Sequence, residues 1–131
     1  MGKSLIIKGA DFSEVAINPA EHSVATLGLV TDAGVIRTDQ TYRAHILGAK
    51  TQGDTVRIKA PNNSGLSFTA WNTDSDWALV GSKPMANWAE EYDLELTTGY
   101  FVVNIRYNQG LTTDVMTQEQ LNNNPFELIT Y

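Results

Sequence analysis

All three tryptophans, Trp71, Trp77 and Trp88, with Tyr92 just beyond, fall within one short stretch of the chain. Sugar rings present C–H faces that stack on such rings, while neighbouring Arg, Asn and Asp side chains satisfy their hydroxyls. Asn104 and Arg106 supply that polar complement on a nearby segment. Trp71, Trp77, Trp88, Tyr92, Asn104 and Arg106 therefore form a candidate glycan site. The same residue types also cover the second face of a sandwich or build a subunit interface, where Trp, Tyr and Arg are enriched.

Other residues offer less. Asn72, Asp74 and Asp76 alternate like the first three ligands of a calcium loop, but the sixth position is Trp77 and the twelfth Lys83, where such a loop needs Gly and Glu. An Asn- and Asp-rich turn is the expected reading, with a weak calcium site at these three residues as the lesser alternative. Glu90, Glu91 and Asp93 suggest a glycosidase pair, yet adjacent carboxylates point apart on a strand and read as a solvated loop. The histidines are His22 and His45 and there is no cysteine, so a zinc site or a cysteine nucleophile has little to build on. No GxSxG elbow supports a Ser-His-Asp triad. The expectation is a protein without enzymatic activity, cofactor or dedicated metal site.

Nine basic against fifteen acidic residues give a net charge of −6, with the basic ones scattered. A phosphate-tracking groove needs clustered Lys and Arg, so nucleic acid is not an expected partner, and an anionic membrane surface is not either. No apolar run approaches the roughly 20 residues that span a bilayer. The opening MGKSLIIKGADF carries an apolar run too short for a signal peptide, which predicts a chain that stays in the cell that makes it unless released by lysis.

These residues need a scaffold, and the sequence reads as β. Short runs punctuated by turn residues predict strands over Thr55–Ala60, Leu66–Trp71, Trp77–Val80 and Tyr100–Tyr107, a spacing that suits an all-β sandwich. Further strands are expected over Ser4–Ile7, Val24–Val30, from Val35, over Tyr42–Leu47 and over Phe126–Tyr131, with a polar turn from Gly48 to Asp54. Period-two alternation puts Val56 and Ile58 on one face, as it does Leu66, Phe68 and Ala70, and Phe101, Val103, Ile105 and Tyr107. Ser67, Thr69 and Trp71 then share the opposite face, as do Val102, Asn104 and Arg106. The NTDSD turn predicts a hairpin over residues 66 to 80. Thr117 and Gln120 have capping-box spacing for one short helix that Asn122–Pro125 ends. At 131 residues, without a linker or repeat, the whole chain is expected to be one domain.

The order GVIRTDQTYRAHILGAKTQGDTVRI, LSFTAWNTDSDWALVG and YFVVNIRY resembles the galactose-binding-like, jelly-roll β-sandwich modules of gut Bacteroidetes and of their phages. The opening KSLIIKGADFSEVAI is similar to the leading segment of several phage-associated proteins. The resemblance implies an antiparallel jelly-roll sandwich and a non-catalytic protein carried on virions or cell surfaces. The leading expectation is thus a structural or accessory protein of a phage particle, attached to capsid or tail, partnered by virion proteins or by copies of itself through an exposed aromatic face. The alternative is an extracellular or cell-surface carbohydrate-binding module that uses the same face on glycans.

Overall fold

The computed structural model describes residues 24–50, 53–108 and 115–130. The strand expected over Ser4–Ile7, and His22, lie outside the described residues. Within them the chain runs β1 (Thr26–Leu27), β2 (Leu29–Val30), β3 (Ile36–Arg37), β4 (Arg43–Ala49), β5 (Thr55–Lys59), β6 (Leu66–Thr73), β7 (Glu91–Glu95), β8 (Tyr100–Tyr107), α1 (Gln118–Asn122) and β9 (Glu127–Thr130). A four-stranded sheet β1-β4-β8-β6 and a three-stranded sheet β7-β5-β9 face each other, and β2 and β3 form a separate hairpin. Every pairing is antiparallel. The protein is an all-β sandwich with one short helix near its C-terminus.

The core follows from alternation. In β8, Phe101, Val103 and Ile105 point inward, and register sets Ile105 between Ala44 and Phe68, and Val103 between Ile46 and Ala70. Val56, Ile58, Leu94 and Leu128 meet them from the other sheet, and Leu121 and Phe126 close one end. Phe68 and Phe126 contact edge to face, with ring centroids 6.0 Å apart. All of these are buried, as the alternation requires.

Gly48 shows the tightness of the packing. It pairs with Phe101, and a Cβ there would fall 2.2 Å from the Phe101 ring. The expected polar turn from Gly48 therefore starts later, because β4 needs a residue without a side chain opposite that ring and continues to Ala49. Thr117 caps α1 as its spacing suggests, its hydroxyl accepting from the Gln120 backbone N–H at 3.1 Å. Only half of the capping box forms, since the Gln120 side-chain oxygen instead accepts from the Tyr107 hydroxyl at 2.8 Å.

Two expectations are corrected. Residues 77 to 80 are not a strand and residues 66 to 80 are not a regular hairpin: β6 takes its long partner from β8, and only the single bridge Thr73–Leu79 joins it to this segment. Trp77 adopts φ 69°, which breaks the extended path. Conversely, the acidic stretch expected to be a loop is β7. Tyr92 and Leu94 turn inward, while Glu91, Asp93 and Glu95 alternate outward.

Candidate functional site

The outer face of the four-stranded sheet carries three cross-strand rows. Arg43, Arg106 and Ser67 form the first, His45, Asn104 and Thr69 the second, Leu47, Val102 and Trp71 the third. A solvated sheet face would leave these exposed, yet His45, Asn104, Val102, Ser67 and Trp71 are buried. The β2–β3 hairpin and the segment from Trp77 to Trp88 supply the cover.

Asn104 fastens the hairpin. Its Oδ1 accepts from the Val30 N–H at 3.0 Å and its Nδ2 donates to the Val30 carbonyl at 2.8 Å, so one side-chain amide satisfies both backbone groups of a β2 residue. Val30 then packs on Trp71 and Val102 in a small second core. The hairpin turn presses against the next loop at Gly34, where φ is +86° and a Cβ would stand 2.5 Å from the Asp76 carbonyl oxygen. Only glycine permits that approach. The Leu79 N–H donating to the Asp32 carbonyl at 2.8 Å completes the attachment.

Between hairpin and loop an open cleft of about 630 Å³ remains, lined among others by Thr31, Asp32, Ala33, Arg43, Thr69, Trp71, Lys83 and Trp88. Cations and indoles pair up in and beside it, Arg106 lying outside the lining. The Arg106 guanidinium carbon lies 4.2 Å from the Trp88 ring centroid and that of Arg43 lies 5.3 Å from it. Lys83 Nζ stands 4.5 Å over the Trp71 ring and 2.7 Å from an Asp32 carboxylate oxygen. Burial pushes the Arg43 guanidinium below the ordinary arginine value, against an opposing pull from Tyr42 and with a smaller push in the same direction from the neighbouring Arg106 charge.

His45, 4% exposed, is held with Nδ1 3.0 Å from the Gly28 carbonyl oxygen. Burial pushes its pKa below the usual histidine value, against the smaller opposing pull of that hydrogen bond. A neutral ring donating through Nδ1 to the Gly28 carbonyl fastens the link between β1 and β2 to the sheet.

The six expected ligand residues separate. Trp71 and Trp88 line the cleft, but Trp71 is 4% exposed, so this member of the expected exposed aromatic face is covered within the chain. Arg106 stacks on Trp88, and Asn104 lines the cleft with its amide already committed to Val30. Trp77 packs edge-on against Tyr100, with ring centroids 5.5 Å apart, away from the cleft lining. Tyr92 borders a different cleft, of about 420 Å³, beside Asp93 and Asn72.

The chain turns from Asp74 onward, while Asn72 and Thr73 still belong to β6. Asp74 Oδ1 accepts from the Asp76 and Ala78 N–H groups at 2.8 and 3.0 Å. Asn72 is spent elsewhere, its Nδ2 donating to the Glu95 carbonyl at 2.9 Å and its Oδ1 accepting from the Thr97 N–H at 3.1 Å. The carboxylates of 90 to 93 do not form a facing pair: Asp93 binds Arg57 at 2.9 Å, and Glu90 accepts from Asn108 at 3.3 Å. Among the described residues no group of three or more His, Cys, Asp or Glu is placed to hold a metal ion.

Sequence reasoning missed Arg43, Thr69 and Lys83 as parts of the site. Alternation in RAHIL already set Arg43 beside His45 on one face, but its place next to Arg106 depends on a strand pairing across nearly half of the chain. Comparison of the chain with family models, with curated proteins and with solved structures finds no match.

Proposed function

We propose that this protein is a non-catalytic β-sandwich module that binds glycans in the cleft between the β2–β3 hairpin and Trp88. The observation carrying this reading is the cleft itself, whose volume of about 630 Å³ falls in the usual range of small-ligand sites, roughly 300 to 1,000 Å³. Its lining mixes indole rings, a threonine hydroxyl and cationic donors, the groups that hold hydroxyl-rich ligands. The absence of catalysis is part of the proposal. Its support is that His45 is buried on a carbonyl and that Asp93 is paired with Arg57.

The setting is proposed on the strand-and-turn resemblance alone: a jelly-roll module on a phage particle or a cell surface, held to virion proteins or to copies of itself. Multivalent display suits such a module, because one shallow site gives only about millimolar to micromolar affinity. A glycan array probed with a multimerised form of the chain tests the reading. Hits that vanish in Ala33→Trp, which fills the cleft mouth from an exposed position, are the expected result. An array blank for the multimer overturns it.

A further inference from the structure

Resting on the glycan reading above, we infer that the cleft takes an acidic glycan, an otherwise neutral oligosaccharide bearing a uronate whose carboxylate is held by Arg43 with Arg106 beside it. The arginines of this chain divide into two kinds. Arg37 and Arg57 each hold a carboxylate, Asp39 at 3.0 Å and Asp93 at 2.9 Å. Arg43 and Arg106 stand side by side across β4 and β8, and among the described residues no carboxylate pairs with either.

Among the described residues the Nε of both, and the Nε1 of Trp71, are buried without a hydrogen-bond partner; Arg43 and Trp71 line the cleft, and Arg106 packs beside Arg43 on Trp88. Two cleft-lining side chains with unmatched donors, and a third beside them, call for an acceptor. Leaving buried donors unmatched is costly, and placing two like charges together adds to that cost, so a bound anion relieves both.

The aromatic faces point the same way. Lys83 already covers a face of Trp71, and the two arginines share Trp88, so the chemistry left open at the cleft is cationic. A guanidinium fork matches a planar carboxylate in two parallel hydrogen bonds. Asp32 at the lining and a net charge of −6 disfavour a dense polyanion. A single acid among hydroxyls fits best, with Thr69 and Thr31 available to the hydroxyls.

The test is calorimetric titration with neutral oligosaccharides that each bear one glucuronate or galacturonate, beside the same sugars reduced at the carboxyl and their sulfate-ester counterparts. At least one uronate sugar is expected to bind. Its reduced counterpart should bind about 10- to 100-fold more weakly, the loss expected when a charged hydrogen-bond partner is removed. Arg43→Gln and Arg106→Gln should show the same loss with unchanged thermal melts, Arg57→Gln should bind like the parent, and added salt should weaken binding. Because reduction changes the ligand and not the protein, the result stands even where an arginine variant folds poorly. Equal binding of reduced and acidic sugars, both blocked by Ala33→Trp, overturns the acidic ligand and leaves the glycan reading standing. Preference for the sulfate ester overturns the carboxylate assignment. No binding of any sugar overturns both.

Discussion

The two faces of the four-stranded sheet are both covered, and by opposite means. The inner face is filled by Phe68, Phe101, Val103 and Ile105 against a second sheet, an apolar contact that gains strength simply from area removed from water. The outer face is covered by a two-stranded hairpin that adds Val30 to a small second core and is held by the Asn104 amide, a buried His45 and the close approach at Gly34. Non-directional packing tolerates no gap, whereas a cover fixed at a few polar points can leave one. That difference is the reason the cleft lies on the outer face.

The largest effect expected from breaking this contrast is on the inner side. Phe68→Ala should cost about 3 to 5 kcal/mol of stability, since the ring is fully buried and its neighbours belong to both sheets. Chemical denaturation measures it, and a loss under 1 kcal/mol would contradict the rigid core.

On the outer side, Asn104→Leu strands the N–H and carbonyl of Val30, at about 1 to 3 kcal/mol for an unsatisfied buried group. The prediction sharpens in where the loss is felt. Hydrogen exchange should accelerate at Val30 far more than at Val103, and uniform acceleration would mean that the hairpin is not a separately fastened cover.

Acid should act on the outer face as well. The pKa of His45 is lowered by folding, so the unfolded chain binds the proton more tightly. The stability from the neutral ring is fully present above the unfolded histidine value, about 6.5, and is lost as pH falls through the lower folded value. Thermal melts between neutral pH and about pH 5 should show this decline, and His45→Gln should flatten it. A parent curve already flat there would place the ring in a solvated site.

The smallest effect belongs to the rim. Lys83 and Asp32 are both exposed, so Lys83→Met should change stability by no more than about 1 kcal/mol despite the short ion pair. A larger loss in a double-mutant cycle with Asp32→Asn would show that the ion pair helps to hold the cover in place.

Much of the inner face was legible because a strand buried on one side repeats its apolar residues with period two. The LSFTAW and YFVVNIRY patterns announce which residues share a face even before their partners are known. β7 carried the same signal in Tyr92 and Leu94, but the outward carboxylates Glu91, Asp93 and Glu95 resemble a solvated loop when nothing shows that an opposite sheet lies beneath. Trp77–Val80 misled in the reverse sense: its residues favour a strand, and the packing of Trp77 on Tyr100 at positive φ outweighs that preference.

By itself, then, the sequence determined the all-β class, the inward faces of β5, β6 and β8 and the capped helix, because each depends on residues close together in the chain. The adjacency of Arg43 and Arg106, the closing of Asn104 onto Val30 and the covering of Trp71 were decided only by tertiary structure. Each joins segments far apart in sequence, and register between such strands is set by the packing of the whole sandwich, which no local periodicity encodes.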